Sequence, residues 1–430
     1  HTRYNWFGGA RRLDVRGAAG NLFGKQLYGK SIFGSSVPEG VDGEVDNRFL
    51  SPTWEVGATL NEPFVLNARA SLSFGLSTHR RSVPGIVIDR GYSANTAFTW
   101  RFANHIDGSV IYQYERNRVE AGDLYFCINF GVCALNTIGA LRSAHSLSPL
   151  TLRGFAERAD DPLAPTRGYN ALIELEHSSA ITASDFRYNR LAAEFSKYLP
   201  RGRSVIALHV RGGIVRPSES SAGAIGINVA DNSILHPRKR FYGGGARSVR
   251  GFGENQLGPR VLTIDPLKLT SPSDSSITPC TIADLEDGTC DPNIAASTDF
   301  VPRPLGGNAL LEGSIEYRLP LTQNMKAAFF VDAGTVRGKR LNQPPGSGSG
   351  ITPGFGIRYS SPIGPVRLDL GIRPGGNEEL PVVTQVHDSA NTFRLVQLKT
   401  AKKYDPFEGS GFLHKLTSRL QLHLAIGEAW

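Results

Sequence analysis

The 430 residues carry 47 lysines and arginines against 39 acidic residues, a formal net charge of +8, and 40% of positions are hydrophobic. No apolar run approaches the roughly eighteen residues a membrane helix requires, which excludes a helical span. The charges are spread along the chain rather than gathered in a patch, which argues against nucleic acid and fits an anionic lipid or glycolipid surface. Met325 is the only methionine and no signal peptide precedes it. The chain is therefore expected to start inside a larger product or after a processed segment.

Taken in order, apolar and polar residues alternate with a period of two in fourteen segments, near 8–19, 52–62, 66–80, 87–102, 106–119, 146–158, 168–179, 187–200, 204–215, 308–320, 325–336, 350–361, 364–373 and 419–430. Ile206, Leu208 and Val210 oppose Ala207, His209 and Arg211. Leu311, Ile315, Tyr317 and Leu319 oppose Glu312, Ser314, Glu316 and Arg318, and Val366, Leu368, Leu370 and Ile372 oppose Arg367, Asp369, Gly371 and Arg373. One such strand could edge a soluble sandwich. Many of them, each with a polar or charged second face, predict an all-β transmembrane antiparallel barrel with lipid outside and a wet lumen inside.

Connection lengths agree. Asn61-Glu62-Pro63, Ala103-Asn104-His105, Asp161-Pro162-Leu163, Pro200-Arg201-Gly202, Pro320-Leu321-Thr322 and Ser361-Pro362-Ile363-Gly364 are short turns, whereas the intervening connections include long ones near 20–51, 120–145, 216–307 and 374–418. Short periplasmic turns alternating with longer external loops are the pattern of outer-membrane barrels. Cys127 with Cys133 and Cys280 with Cys290 form close pairs in the long loops, without histidines at metal-ligand spacing. Two loop disulfides in an oxidising compartment are expected, with free buried thiols as the alternative. No nucleophile–base pair, metal cluster or cofactor fingerprint stands out, so neither an enzyme, a metal nor a cofactor is expected. His105, His209 and His423 are scattered singly and read as lumen or interface residues.

The longest loop contains the glycine-dense run Gly243-Gly244-Gly245-Ala246-Arg247-Ser248-Val249-Arg250-Gly251-Phe252. Read as a phosphate loop it would need a following helix, which Gly253 to Pro259 does not offer. With the strands placed, the chain resembles the Omp85 superfamily, in which a Val/Ile-Arg-Gly-Phe/Tyr loop folds into the lumen. Val249, Arg250, Gly251 and Phe252 match that motif. Gly306-Gly307-Asn308-Ala309 leading to Glu316, and Phe329-Phe330-Val331-Asp332-Ala333-Gly334, resemble the strands that carry its two acidic partners. Glu316 and Asp332 both fall on the polar parity of their strands, and an enclosed arginine needs such carboxylates. The plainer readings are a wall residue paired with Arg318 for Glu316 and a lone lumen carboxylate for Asp332.

Residues 160–168 resemble a turn-and-strand signature from the middle of these barrels. Leu422, Leu424, Ile426 and Gly427, ending on Trp430, resemble the terminal β-signal of the seam strand, and Trp430 also suits an interfacial anchor. The Cys280–Cys290 pair looks like the BamA branch. Asn5-Trp6-Phe7-Gly8-Gly9 aligns with the turn into the family's third strand, so fourteen strands are visible where the family has sixteen, and its periplasmic POTRA repeats do not precede them. The expectation is that 1–430 is the barrel of a longer product, with a smaller barrel as the alternative.

The resemblance implies an assembly factor that inserts β-barrel proteins through a weak seam between first and last strands. Unfolded outer-membrane clients, outer-membrane lipids with lipopolysaccharide, and accessory lipoproteins are the implied partners. A TamA-like or two-partner-secretion translocator, and a passive barrel, are the alternatives.

Overall fold

The computed structural model describes residues 1–22, 49–83, 86–130, 135–218, 221–227, 234–272, 278–338, 348–362, 364–373, 375–387, 393–408 and 419–427. One antiparallel sheet of 16 strand segments dominates it. In chain order these are β1 (Thr2–Tyr4), β2 (Arg12–Gly20), β3 (Thr53–Pro63), β4 (Ala70–Val83), β5 (Val87–Ala103), β6 (Ile106–Val119), β7 (His145–Ser146), β8 (Leu150–Glu157), β9 (Gly168–Ser178), β10 (Tyr188–Arg201) and β11 (Ser204–Pro217). After a long external loop come β14 (Ala309–Pro320), β15 (Met325–Arg337), β16 (Ser349–Ser361), β17 (Gly364–Ile372) and, after a second, β22 (Leu420–Ile426). Each hydrogen-bonds to its sequence neighbour in the sheet, with β7 and β8 both on β6. Among the described residues β1 pairs only with β2, and β22 only with β17.

Burial is inverted relative to a water-soluble protein. Along β14, Leu311 and Ile315 are 58% and 60% exposed, while Glu312, Ser314, Glu316 and Arg318 are buried. The same parity leaves Phe329 and Val331, Ile351 and Phe355, and Leu422 and Leu424 outside. An apolar outer face over a charged interior is stable only if lipid replaces water outside. The fourteen expected strands therefore correspond to the long strands β2–β6, β8–β11, β14–β17 and β22 of this sheet, with the expected 146–158 divided between β7 and β8.

Two expectations need correction. The strand expected from residue 8 begins only at Arg12, because Asn5, Phe7, Gly8, Gly9 and Ala10 all have positive φ and form the turn after the unanticipated β1. Several stretches expected as plain loops are structured. Helices Asp123–Phe130 and Leu135–Arg142 occupy the β6–β7 connection. Residues 216–307 contribute β12 (Arg260–Thr263) and β13 (Val301–Pro304), and the β17–β22 connection contributes β18 (Glu378–Leu380), β19 (Val382–His387), β20 (Phe393–Gln397) and β21 (Lys402–Tyr404). The order β13-β12-β19-β20 forms a small external sheet, with β12 and β19 parallel. These two loops thus cap the barrel together, around a core that includes Leu262, Leu269, Leu285, Val382 and Leu398.

Cys280 and Cys290 are bonded across a sequence separation of 10 inside that cap. Cys127 is also disulfide-bonded, and Cys133 lies outside the described residues. Closing a loop of this size removes about 2–3 kcal/mol of unfolded-state freedom. Replacing Cys280 and Cys290 with serine should speed proteolysis within 260–304 while the membrane strands stay protected; equal cleavage rates would remove the cap's dependence on this bond.

On the opposite rim, the turn between β8 and β9 is organised by Asp160. Its carboxylate accepts from Thr166 N at 2.8 Å, Thr166 Oγ1 at 2.5 Å and Arg167 N at 3.0 Å. Slight desolvation works against the charged form of this exposed residue, but these hydrogen bonds prevail and lower its pKa from 3.8 to about 2. A depressed carboxylate stabilises the fold above its unfolded pKa, and that contribution disappears as pH falls through the folded value. Cleavage of this turn in acid should therefore rise as pH falls from about 4 to 2, and Asp160→Asn should flatten the dependence.

Candidate functional site

The external loop enters the lumen after a short 3-10 turn at Pro237–Lys239. Phe241 bridges to Gly307 and Gly243 to Leu257, which folds the glycine run back on itself. Gly244 and Gly245 adopt φ of +90° and +104°, a conformation that favours glycine, and a Cβ at Gly244 would lie 2.6 Å from the Gly253 carbonyl oxygen. Ser248 Oγ accepts from Gly244 N at 2.9 Å and donates to Glu312 at 2.6 Å. Val249 and Phe252 pack with Leu257, Leu310 and Val336 in an apolar cluster inside the external half of the barrel. Hydrophobic contact thereby seats the loop, and polar contact fixes its register.

Arg250 is fully buried at the end of this turn. Its Nε and Nη2 bond Asp332 bidentately at 2.8 and 2.9 Å, and its own backbone N–H reaches the same carboxylate at 3.0 Å. Nη1 meets Glu316 at 2.5 Å and Asp369 at 3.4 Å. The guanidinium lies 3.4 Å from the centroid of the Phe330 ring, stacked on its face. Burial alone would discharge the arginine, yet Asp332, Glu316 and Asp369 outweigh it and raise its pKa above the usual arginine value.

The wall answers with more charge than two carboxylates. Glu316 also binds Arg318 at 2.8 Å and Arg358 at 2.9 Å. Asp369 binds Arg367 at 3.0 Å and contacts Arg358, and Arg367 Nη2 donates to Ala246 O at 2.6 Å. Asp332 is different: among the described residues its only cation is Arg250, with Ser314 Oγ at 2.6 Å as its other partner. Four arginines and three acids from β14 to β17 and the loop make one network. Removing one member of such a buried network strands the others without water.

Backbone clearance completes the site. A Cβ at Gly371 would lie 1.8 Å from Arg250 O, and one at Gly251 would lie 2.2 Å from Thr352 Cγ2. The loop backbone therefore rests directly on β17. The imidazole of His423, on the terminal strand β22, donates from Nε2 to Arg250 O at 3.1 Å. Loop, wall and last strand meet at a single peptide.

The structure thus brings Arg250 together with Glu316 and Asp332, and the Arg318 contact of Glu316 coexists with that pairing. Leu422, Leu424 and Ile426 face outward on β22. Gly427 follows with φ +93°, and Trp430 lies outside the described residues. Sequence reading missed Asp369, Arg358, Arg367 and His423. Their signal was present as inward parity on β16, β17 and β22, but parity does not say which wall residues a distant loop will touch. His209 is a buried wall residue bonded to Ser196 at 3.0 Å, and His105 sits in a turn with φ +58°.

A second anchor lies upstream. Arg238 reaches Asp89 on β5 at 3.1 Å and Glu115 on β6 at 2.5 Å, and Lys239 reaches Glu176 on β9 at 2.9 Å. The loop is therefore tied to two separate stretches of wall, β5–β9 and β14–β17. Residues that showed no metal-ligand spacing in sequence also converge there, since His79, Asp89 and Glu115 have ligand atoms within 4.8 Å of one another.

The Omp85 superfamily domain matches residues 5–386. In structure the chain is similar to BamA from Haemophilus ducreyi lacking POTRA domains 1–3, at 15% identity and a TM-score of 0.59, over 92% of this chain and 66% of that one. CdiB from Acinetobacter baumannii matches at 13% identity and a TM-score of 0.41, over 82% of this chain and 50% of that one. CdiB from Escherichia coli matches at 11% and 0.40, over 92% and 58%. The chain thus spans about half to two thirds of these structures, and the BamA likeness is one of fold. Proteins of the Omp85 superfamily insert or translocate polypeptides. With the family match running through most of the strands and the arginine loop, the chain belongs to the Omp85 superfamily and is an outer-membrane β-barrel of a Gram-negative bacterium.

Proposed function

We propose that residues 1–430 form the barrel domain of an outer-membrane protein assembly factor, which inserts β-barrel clients at a seam beside its terminal strand. One observation carries this reading: the buried Arg250 turn is bonded through its carbonyl to His423 on β22, so the loop's position and the last strand's position are coupled. The outer edge of β22 has no strand partner among the described residues. Unpaired backbone groups facing lipid cost several kcal/mol each, so an incoming client strand that pairs with them gains what the seam lacks. On this reading the partners are unfolded outer-membrane proteins, outer-membrane lipids with lipopolysaccharide, and accessory lipoproteins.

A passive pore fits less well, because the loop and the helix at Asp123–Phe130 fill the external half of the lumen with an apolar cluster. The protein reconstituted in liposomes should accelerate folding of an urea-denatured β-barrel client over protein-free liposomes, and should show small, irregular conductance in planar bilayers. Steady ohmic conductance without accelerated folding would reject the insertase reading and favour a pore.

A further inference from the structure

His79 is fully buried on the inner wall of β4, and among the described residues neither of its ring nitrogens has a hydrogen-bond partner. Its Nε2 faces two carboxylates, Glu115 Oε1 at 3.6 Å and Asp89 Oδ2 at 3.9 Å. Asp89 Oδ1 is likewise buried without a hydrogen-bond partner. A buried imidazole left unbonded beside two acids is costly, so the arrangement is unfinished without another group.

The register shows how three strands make this pocket. His79 pairs with Gly91, which pairs with Asn117. A Cβ at Gly91 would lie 2.4 Å from Arg116 O and 2.8 Å from Asn117 Cα, so the position between the three ligand-bearing residues stays free of side chain. Asn117 Nδ2 donates to Asp89 at 3.2 Å and to Glu115 at 2.9 Å, and Gln113 donates to the other Glu115 oxygen at 2.9 Å. Both carboxylates are thereby oriented, as second-layer hydrogen bonds orient metal ligands.

We propose that His79, Asp89 and Glu115 form a binding site for a divalent transition cation of the zinc type, and that the cation competes with Arg238 for the two carboxylates. One imidazole and two carboxylates are a donor set such cations accept, with an open position toward the lumen. Tetrahedral donors around zinc stand about 3.3–3.5 Å apart, so the imidazole, at 3.6 and 3.9 Å from the two carboxylates, and the acids, all within 4.8 Å of one another, would draw together around the ion. Arg238 supplies one positive charge against two negative ones. A dication accepts a lone pair from both acids and from the imidazole at one point, whereas the Arg238 guanidinium sits on Asp89 and Glu115 and leaves both His79 nitrogens unbonded. Cation binding would free Arg238 and with it the upstream anchor of the loop, while leaving the Arg250 anchor in place. The site stands independently of what the barrel inserts.

The test is Zn2+ binding to the folded full chain in detergent, measured by competition with a chromogenic chelator, with barrel folding verified by heat-modifiable gel migration. His79→Gln and Asp89→Asn should each weaken binding at least about tenfold. Arg238→Ala should tighten it about tenfold, within the usual range of coupling between competing groups. An affinity unchanged by His79→Gln, or unchanged by Arg238→Ala, overturns the proposal, as does the absence of Zn2+ binding to both the native chain and Arg238→Ala. Should the wall variants fail to fold, Arg238→Ala carries the test, because Arg238 comes from the loop and not from a wall strand.

Discussion

Arg250→Ala is expected to abolish client insertion and to destabilise the barrel by about 3–5 kcal/mol, the usual cost of removing one partner from a buried charge cluster. The loss falls unevenly. Glu316 keeps Arg318 and Arg358, and Asp369 keeps Arg358 and Arg367, whereas Asp332 loses its bidentate partner and retains Ser314. Adding Asp332→Asn to Arg250→Ala should therefore recover a good part of the stability while insertion remains lost. Arg250→Lys should fall between, since an ammonium cannot hold Asp332 with two nitrogens and Glu316 with a third. Urea unfolding in liposomes gives the stability and client folding rate gives the activity. Normal insertion by a folded Arg250→Ala protein would remove the loop anchor from the mechanism.

Gly371→Ala is the second large effect expected, and it involves no charge. The new Cβ would meet the carbonyl carbon of Arg250 at 2.4 Å and Gly251 N at 2.8 Å, all backbone atoms that cannot rotate away. The loop must lift from β17, and Arg250 O then leaves His423. Overpacking of this kind costs about 1–3 kcal/mol. Insertion should drop with it, and the protection of the loop from proteases should fall. Gly139→Ala is the matched control: it lies in the helix Leu135–Arg142 with nothing within 4 Å of its added carbon, and should be neutral or slightly stabilising. Equal behaviour of the two variants would show that the close approach of loop and wall is not needed.

The parts of the fold that were legible in the sequence are those in which one physical rule acts alone. Lipid outside and charge inside impose a strict period of two, so β14, β15 and β17 could be placed to within a residue or two. The loops obey no such rule. The helix Asp123–Phe130 is buried from Tyr125 to Phe130 inside the lumen, so it has no polar stripe to reveal a helical period. The strands β12 and β19 are a few residues long and find each other across more than a hundred positions of sequence, which local pattern does not encode. The arginine loop was legible through its motif, and Glu316 and Asp332 through parity together with family likeness. Asp369, Arg358, Arg367 and His423 carried only their parity. Their place in the site comes from the curvature of the wall, which sets strands far apart in sequence around one side chain. The strand start expected near residue 8 misled for the opposite reason: non-glycine residues such as Phe7 and Ala10 take positive φ and prolong the turn to residue 11, a choice that residue type does not announce.

The central claim is that clients enter at the edge of β22 rather than through the lumen. It is tested most directly by placing a photo-crosslinking amino acid at Leu424, on the outer face of β22, or at Glu194, on the inner wall of β10, and stalling a radiolabelled client during assembly. A client adduct at Leu424 with none at Glu194 is the expected result. Adducts at Glu194 with none at Leu424 would contradict it and make this barrel a conduit for polypeptide through the lumen.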